Sequence, residues 1–127
     1  MLFRSKGSLT TIQSTKLLPP GFHGDPTGCD VVLDPAGRFA YVAERGYDHI
    51  LAYSVDPATG KLSPLGDTAC GGKTPRHFTL DPTARWVLIA NQDSDNITVF
   101  RRDLKTGELA KTGDSYPLVK PQCIVFV

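Results

Sequence analysis

Residues 33–67 and 80–114 of this chain align as an ungapped internal repeat. Asp34-Pro35 recurs as Asp81-Pro82, and the same offset of 47 residues carries Arg38 to Arg85, Ala43 to Ala90, Asp48 to Asp95, Ile50 to Ile97 and Asp56 to Asp103. It also carries Thr59-Gly60 to Thr106-Gly107, Leu62 to Leu109 and Gly66-Asp67 to Gly113-Asp114. Thirteen of the 35 aligned positions are identical. A repeat of this period restricts the chain to architectures that stack one unit on the next, because a single unit cannot bury its own apolar face.

Each unit reads as four short strands. Residues 30–33 and 77–80 form the first, closed by the turns Asp-Pro-Ala-Gly and Asp-Pro-Thr-Ala. The second, 39–43 and 86–90, is rich in β-branched and aromatic residues, and the third, 50–55 and 97–102, alternates apolar with other side chains. The run Asp56-Pro57-Ala58-Thr59-Gly60 then turns into a weak fourth strand over 61–65, with Gly60 and Gly107 where a hairpin demands positive φ. No segment sustains a helical period. Four strands in about 40–50 residues is the pattern of a propeller blade, and a sandwich or solenoid accounts for it less well. The fold expected is all-β: a β-propeller fragment with two full four-stranded blades and partial blades at both ends.

The boundaries expected are 1–27 for the end of one blade and a Pro/Gly-rich connector, 28–74 and 75–120 for the full blades, and 121–127 for the first strand of a further one. At the N-terminus, Leu2 to Ser5 resembles a third strand running into the Gly7-Ser8-Leu9 of a fourth.

Composition narrows the function classes. Formal net charge is +1 with both signs interspersed, so nothing draws the chain to nucleic acid or an anionic membrane. No apolar run approaches the ~20 residues of a membrane span. Arg4 and Lys6 precede no apolar stretch, so the N-terminus does not read as a secretory signal. Three cysteines without C-x-x-C spacing read as reduced thiols of a cytoplasmic protein.

Strand alternation divides the loops between two faces. One face holds the tight turns Asp-Pro-x-x-Arg and Thr-Gly, whose residues turn chemistry explains. The other holds Gly28-Cys29-Asp30, residues 44–49, 71–77, 91–96 and 121–123, where the repeats diverge and charged and amide groups collect. Divergence on a repeating scaffold points to function.

Several of these segments resemble a known family. They are Gly37-Arg38-Phe39-Ala40-Tyr41-Val42, Arg45-Gly46-Tyr47-Asp48, Asp56-Pro57-Ala58-Thr59-Gly60-Lys61-Leu62, Lys73-Thr74-Pro75-Arg76-His77-Phe78, Ala90-Asn91-Gln92-Asp93-Ser94-Asp95-Asn96 and Pro121-Gln122-Cys123. The resemblance is to the lactonase family of seven-bladed propellers, which includes 6-phosphogluconolactonases and 3-carboxymuconate cyclases. It implies an enzyme that opens a sugar lactone, or a relative that closes a lactone on a muconate, with a small anionic lactone or carboxylate bound at the central channel. It implies no metal or organic cofactor. It also implies that this chain is the C-terminal third, lacking earlier blades and a site histidine that they carry. Open flanks then favour head-to-tail self-association. A reading of a different class stays open: a non-catalytic propeller remnant or scaffold, since propellers host many functions.

Six residues are candidates for the site. Arg76, after Pro75 at the head of a first strand, matches a family arginine thought to line the site; a guanidinium there clamps an anion or bridges two blades. Arg45 matches the arginine of a family Asn-Arg-Gly motif in which Glu44 replaces the Asn, and it either binds substrate or pairs with Glu44. Asp30, where relatives carry Glu, is a general base on water or a structural carboxylate. His77 is an acid–base group or a hydrogen-bonded strut. Asn91 and Gln92 bind substrate hydroxyls or hold their own loop. Cys123 matches a family cysteine that reads as packing.

Other motifs fail on inspection. Gly72-Lys73-Thr74 ends like a P-loop, but Asp67 stands where the first Gly belongs and Pro75 forbids the helix that must follow. Asp93-Ser94-Asp95-Asn96 opens like a calcium loop, yet Ile97 occupies a ligand position.

Overall fold

The computed structural model describes residues 7–127. Eight strands form two four-stranded antiparallel sheets. The first sheet runs β1 (Gly28–Leu33), β2 (Phe39–Glu44), β3 (His49–Val55), β4 (Leu62–Ala69); the second runs β5 (Pro75–Leu80), β6 (Trp86–Asn91), β7 (Asn96–Arg102), β8 (Leu109–Pro117). Neighbours in sequence are neighbours in the sheet, the meander of a propeller blade.

Burial falls off outward from the second strand. All six residues of β2 are buried, because both its faces are covered. Phe39, Tyr41 and Ala43 face the second sheet and pack with Phe78, Val87, Ile89 and Phe100. Ala40 and Val42 face the other way, packing with Leu51, Tyr53 and Val55 under Leu17 of the connector. Gln13 fastens that connector: its side-chain amide donates to Leu62 O at 2.8 Å and accepts from Leu62 N at 2.6 Å, as a strand backbone would. The second sheet's far flank is less covered, and Trp86 there is 41% exposed.

The turns follow from local chemistry. Asp34 Oδ1 accepts the N–H groups of Arg38 and Phe39, and Asp81 Oδ1 accepts those of Arg85 and Trp86. The carboxylate replaces ladder bonds that the chain loses on reversing.

One expectation needs correction. The fourth strand is not weak: β4 and β8 have eight and nine residues, with irregular registers opposite Gly66 and beyond Thr98. As the exposed outermost strand, it lacks the apolar alternation that betrays the others. Residues 121–127 run beside β5, touching it through the bond from Ile124 N to His77 Nδ1. The third-strand reading at Leu2 to Ser5 lies outside the described residues.

Tertiary contact adds a structure that turn chemistry does not explain. Arg102, where the first repeat has Val55, is 3% exposed. Its guanidinium donates to Asp34 Oδ2 at 2.9 Å, to Ala84 O at 2.9 Å and to Tyr41 Oη at 2.8 Å. Tyr41 in turn donates to Gly107 O at 2.7 Å. This buried network rivets one blade to the next on the tight-turn face, and each of its members has a partner.

Candidate functional site

The opposite face gathers the start of β1, the β2–β3 turn, the start of β5, the β6–β7 connection and residues 121–124. Here the charges are arranged differently. Arg76 emerges exposed, directly after the fully buried Pro75. Arg45 is half-buried, with its Nε 3.4 Å from Thr27 O. Neither guanidinium has a carboxylate within ion-pair distance among the described residues.

Cys29 lies among these groups. Its thiol donates to Pro75 O at 2.9 Å, linking β1 to β5. Burial pushes the thiol above its ordinary value; Arg45 and Arg76 oppose that shift, while Asp30 and Glu44 add to it. Two cations and two carboxylates thus lie within electrostatic reach of one sulfur.

Asp30 and His77 hold the same register position in successive first strands, and each reaches the next segment's backbone. Asp30 Oδ2 accepts Phe78 N at 3.3 Å, and His77 Nδ1 accepts Ile124 N at 3.1 Å. With Nδ1 engaged as acceptor, the neutral ring carries its proton on Nε2, which stands 3.8 Å from Asp30 Oδ2. Asp30 keeps lone pairs free after accepting Val31 N at 2.9 Å. His77 in this tautomer presents a donor to Asp30 and no free base.

Asn91 is fully buried. Its Nδ2 donates to Thr98 Oγ1 at 3.0 Å, and that hydroxyl donates to Cys70 O at 2.6 Å. The amide offers a ligand no surface, whereas Gln92, opening a short 3-10 turn (Gln92–Ser94), is half-buried. Glu44, the repeat counterpart of Asn91, is also fully buried, and its carboxylate accepts the N–H groups of Thr27 and Tyr47. It therefore shapes the Arg45 turn from below and does not pair with Arg45 itself. Cys123 is exposed rather than packed. Among the described residues no group of three or more His, Cys, Asp or Glu side chains could hold a metal ion, and no helix is long and apolar enough to cross a membrane.

One contact at this face was visible in the sequence only as a repeat identity. Asp48 Oδ1 accepts the N–H of Thr74, two residues before Arg76, at 2.7 Å. Its signal was an Asp retained, as Asp95, within loops that otherwise diverge.

Two stacked four-stranded blades define the class, and comparison with known proteins specifies it. The chain matches the family "Lactonase, 7-bladed beta-propeller" over residues 2–126, and it belongs to that family. A periplasmic gluconolactonase of Pseudomonas aeruginosa superposes with a TM-score of 0.94 at 36% identity, covering 98% of this chain and 35% of that one. A protein from Lactobacillus plantarum superposes with a TM-score of 0.87 at 30% identity, covering 92% of this chain and 34% of that one. The 6-phosphogluconolactonase of Bacillus subtilis (strain 168) is 32% identical over 72 residues, 57% of this chain. The chain spans about a third of the length of these solved structures, and its match spans 21% of the Bacillus protein.

Proposed function

We propose that this chain supplies part of the substrate site of a lactone hydrolase of the 6-phosphogluconolactonase type, which opens a sugar lactone without a cofactor. The observation that carries this reading is the pair Arg45 and Arg76, neither ion-paired among the described residues, on the face where Asp30 has accessible lone pairs. Guanidinium groups of this kind hold a phosphate or carboxylate by paired hydrogen bonds. Water then adds to the lactone carbonyl carbon while Asp30 takes its proton; the ring C–O bond breaks and the departing oxygen takes that proton back from Asp30, leaving the ring-opened acid. His77 Nε2–H faces Asp30 Oδ2 at 3.8 Å, and Gln92 meets a substrate hydroxyl. A lactone is already an activated ester, so positioning and one base suffice. Relatives named gluconolactonase and 6-phosphogluconolactonase support the substrate class.

Because the chain spans only part of its relatives, we expect it to turn over slowly unless other blades complete the channel. Three free thiols, one of them exposed, suit a reducing compartment, and we assign the cytoplasm, with subcellular fractionation as the test. The reaction is tested by following acid release from the δ-lactones of 6-phosphogluconate and gluconate. Wild-type rates no faster than spontaneous hydrolysis, with the channel completed, overturn the reading.

A further inference from the structure

The two blades treat one backbone N–H in opposite ways. In the first, Thr27 N–H is taken by Glu44 of its own blade, and Thr27 O accepts Arg45 N at 3.1 Å. In the second, Thr74 O accepts Gln92 N at 2.9 Å as the repeat requires. Yet Thr74 N–H does not go to Asn91, the counterpart of Glu44. It goes to Asp48 of the preceding blade, and Asn91 Oδ1 is left buried with no hydrogen-bond partner.

The backbone records the difference. Thr74 has φ +58, a left-handed conformation that a β-branched residue resists, whereas Thr27 has no positive φ. Such a conformation persists only where its surroundings over-determine it. Here Asp48 holds the N–H, and Asp93 Oδ2 accepts the Thr74 hydroxyl at 2.6 Å. The left-handed residue turns the chain so that Pro75 is buried and Arg76 emerges on the channel face. A second copy of the device follows. Asp95 Oδ1 accepts Lys120 N at 2.9 Å, Lys120 has φ +45, and buried Pro121 comes next.

We propose that Asp48 is the positioning residue for Arg76: by drawing the Thr74 N–H away from Asn91, it holds Thr74 left-handed and sets where the Arg76 guanidinium stands. In relation to substrate this rests on the lactonase reading, in which Arg76 binds the anion. Asp48 itself need not touch the ligand. Without its carboxylate, Thr74 N–H is free to turn to Asn91 Oδ1, carrying Pro75 and Arg76 with it.

The test uses the 127-residue chain with D48A, D48N and D95A, read by the Arg76 Nε–H resonance, by affinity for 6-phosphogluconate and by thermal midpoint. D48A is expected to move the Arg76 resonance and weaken binding by about tenfold or more, since small misplacements of a binding group are costly. D48N keeps an acceptor oxygen and should stay within about threefold of wild type. D95A removes the same device one blade on; it should lower the midpoint comparably and leave the affinity within about twofold. An unmoved Arg76 resonance in D48A, or equal weakening by D95A, overturns the proposal. If wild type does not bind 6-phosphogluconate even with the channel completed, the ligand reading fails, and the resonance still decides the role of Asp48. Should D48A not fold, D48S, whose hydroxyl is too short to reach Thr74 N, must move the same resonance, and failure to do so overturns it.

Discussion

Arginines on the two faces of this blade pair meet opposite fates. On the tight-turn face, Arg102 is buried, its Nε, Nη1 and Nη2 each donating within the protein, with Asp34 as counter-ion. On the loop face, Arg45 and Arg76 lie near carboxylates without pairing to any described one. A guanidinium so fully bonded within the protein is a structural fastener; one left unpaired can accept a ligand. The contrast separates the part of the chain that joins blades from the part that can bind an anion.

The strongest way to break this contrast is to exchange the effects of the two arginines. Arg102→Met leaves the buried Asp34 carboxylate with only the exposed Arg38, 4.0 Å away, as counter-ion and should destabilise by about 3–5 kcal/mol in urea titration. A loss below about 1 kcal/mol would show that the network is incidental. Arg76→Ala should leave stability within about 0.5 kcal/mol, yet reduce 6-phosphogluconate affinity about tenfold to hundredfold, the loss expected of a charge-assisted contact. Arg38→Ala sharpens the comparison, because Arg38 lies on the tight-turn face and bonds Leu104 O at 2.7 Å. We expect a stability cost of about 1 kcal/mol there, and turnover per folded molecule unchanged.

The flanks differ as the faces do. The connector seals one side of the blade pair through Leu17, while the other leaves Trp86 exposed. Light scattering at micromolar concentration should therefore find the chain self-associated, and Trp86→Glu should shift it toward monomer; a monomeric wild type would refute this view of the flank.

Acid should act first on the turns. Backbone N–H groups of Ala58 and Thr59 hold the Asp56 carboxyl below its ordinary value, and those of Thr106 and Lys105 do the same for Asp103. For Asp81, burial works the other way, but bonds from Thr83, Trp86 and Arg85 outweigh it. A carboxyl depressed in the folded state stabilises fully above its unfolded value, near pH ~4, and that stability is lost as pH falls through the folded value. Asp81→Asn should therefore flatten the acid limb of a circular-dichroism titration. The smallest effect expected is in thiol labelling. Burial pushes Cys70 up to about 11 and Cys29 up as well, while Cys123 is exposed. Alkylation should proceed in the order Cys123, Cys29, Cys70, and early modification of Cys70 would contradict its burial.

What the sequence by itself determined is what short-range chemistry encodes. The 47-residue period set the number of blades. Asp34 and Asp81 marked turns because each carboxylate bonds N–H groups only four and five residues away. β-Branched and aromatic content marked β2 and β6, apolar alternation marked β3 and β7, and neither signal reached β4 and β8, whose exposed positions carry no such constraint. Strand direction, which assigns loops to faces, placed Arg45, Arg76, Asp30 and His77 on one face. Only the tertiary structure decided which side chains of that face lie open. Asn91 reads as a loop amide and is buried, because Gly72 crosses directly over its Cβ. Arg102 reads as a strand-end arginine and becomes an inter-blade rivet, because Asp34, 68 residues earlier, lies opposite it once the sheets stack. Asp48 governs Thr74 across 26 residues for the same reason. Contacts between blades depend on how two twisted sheets stack, and no local pattern along the chain carries that geometry.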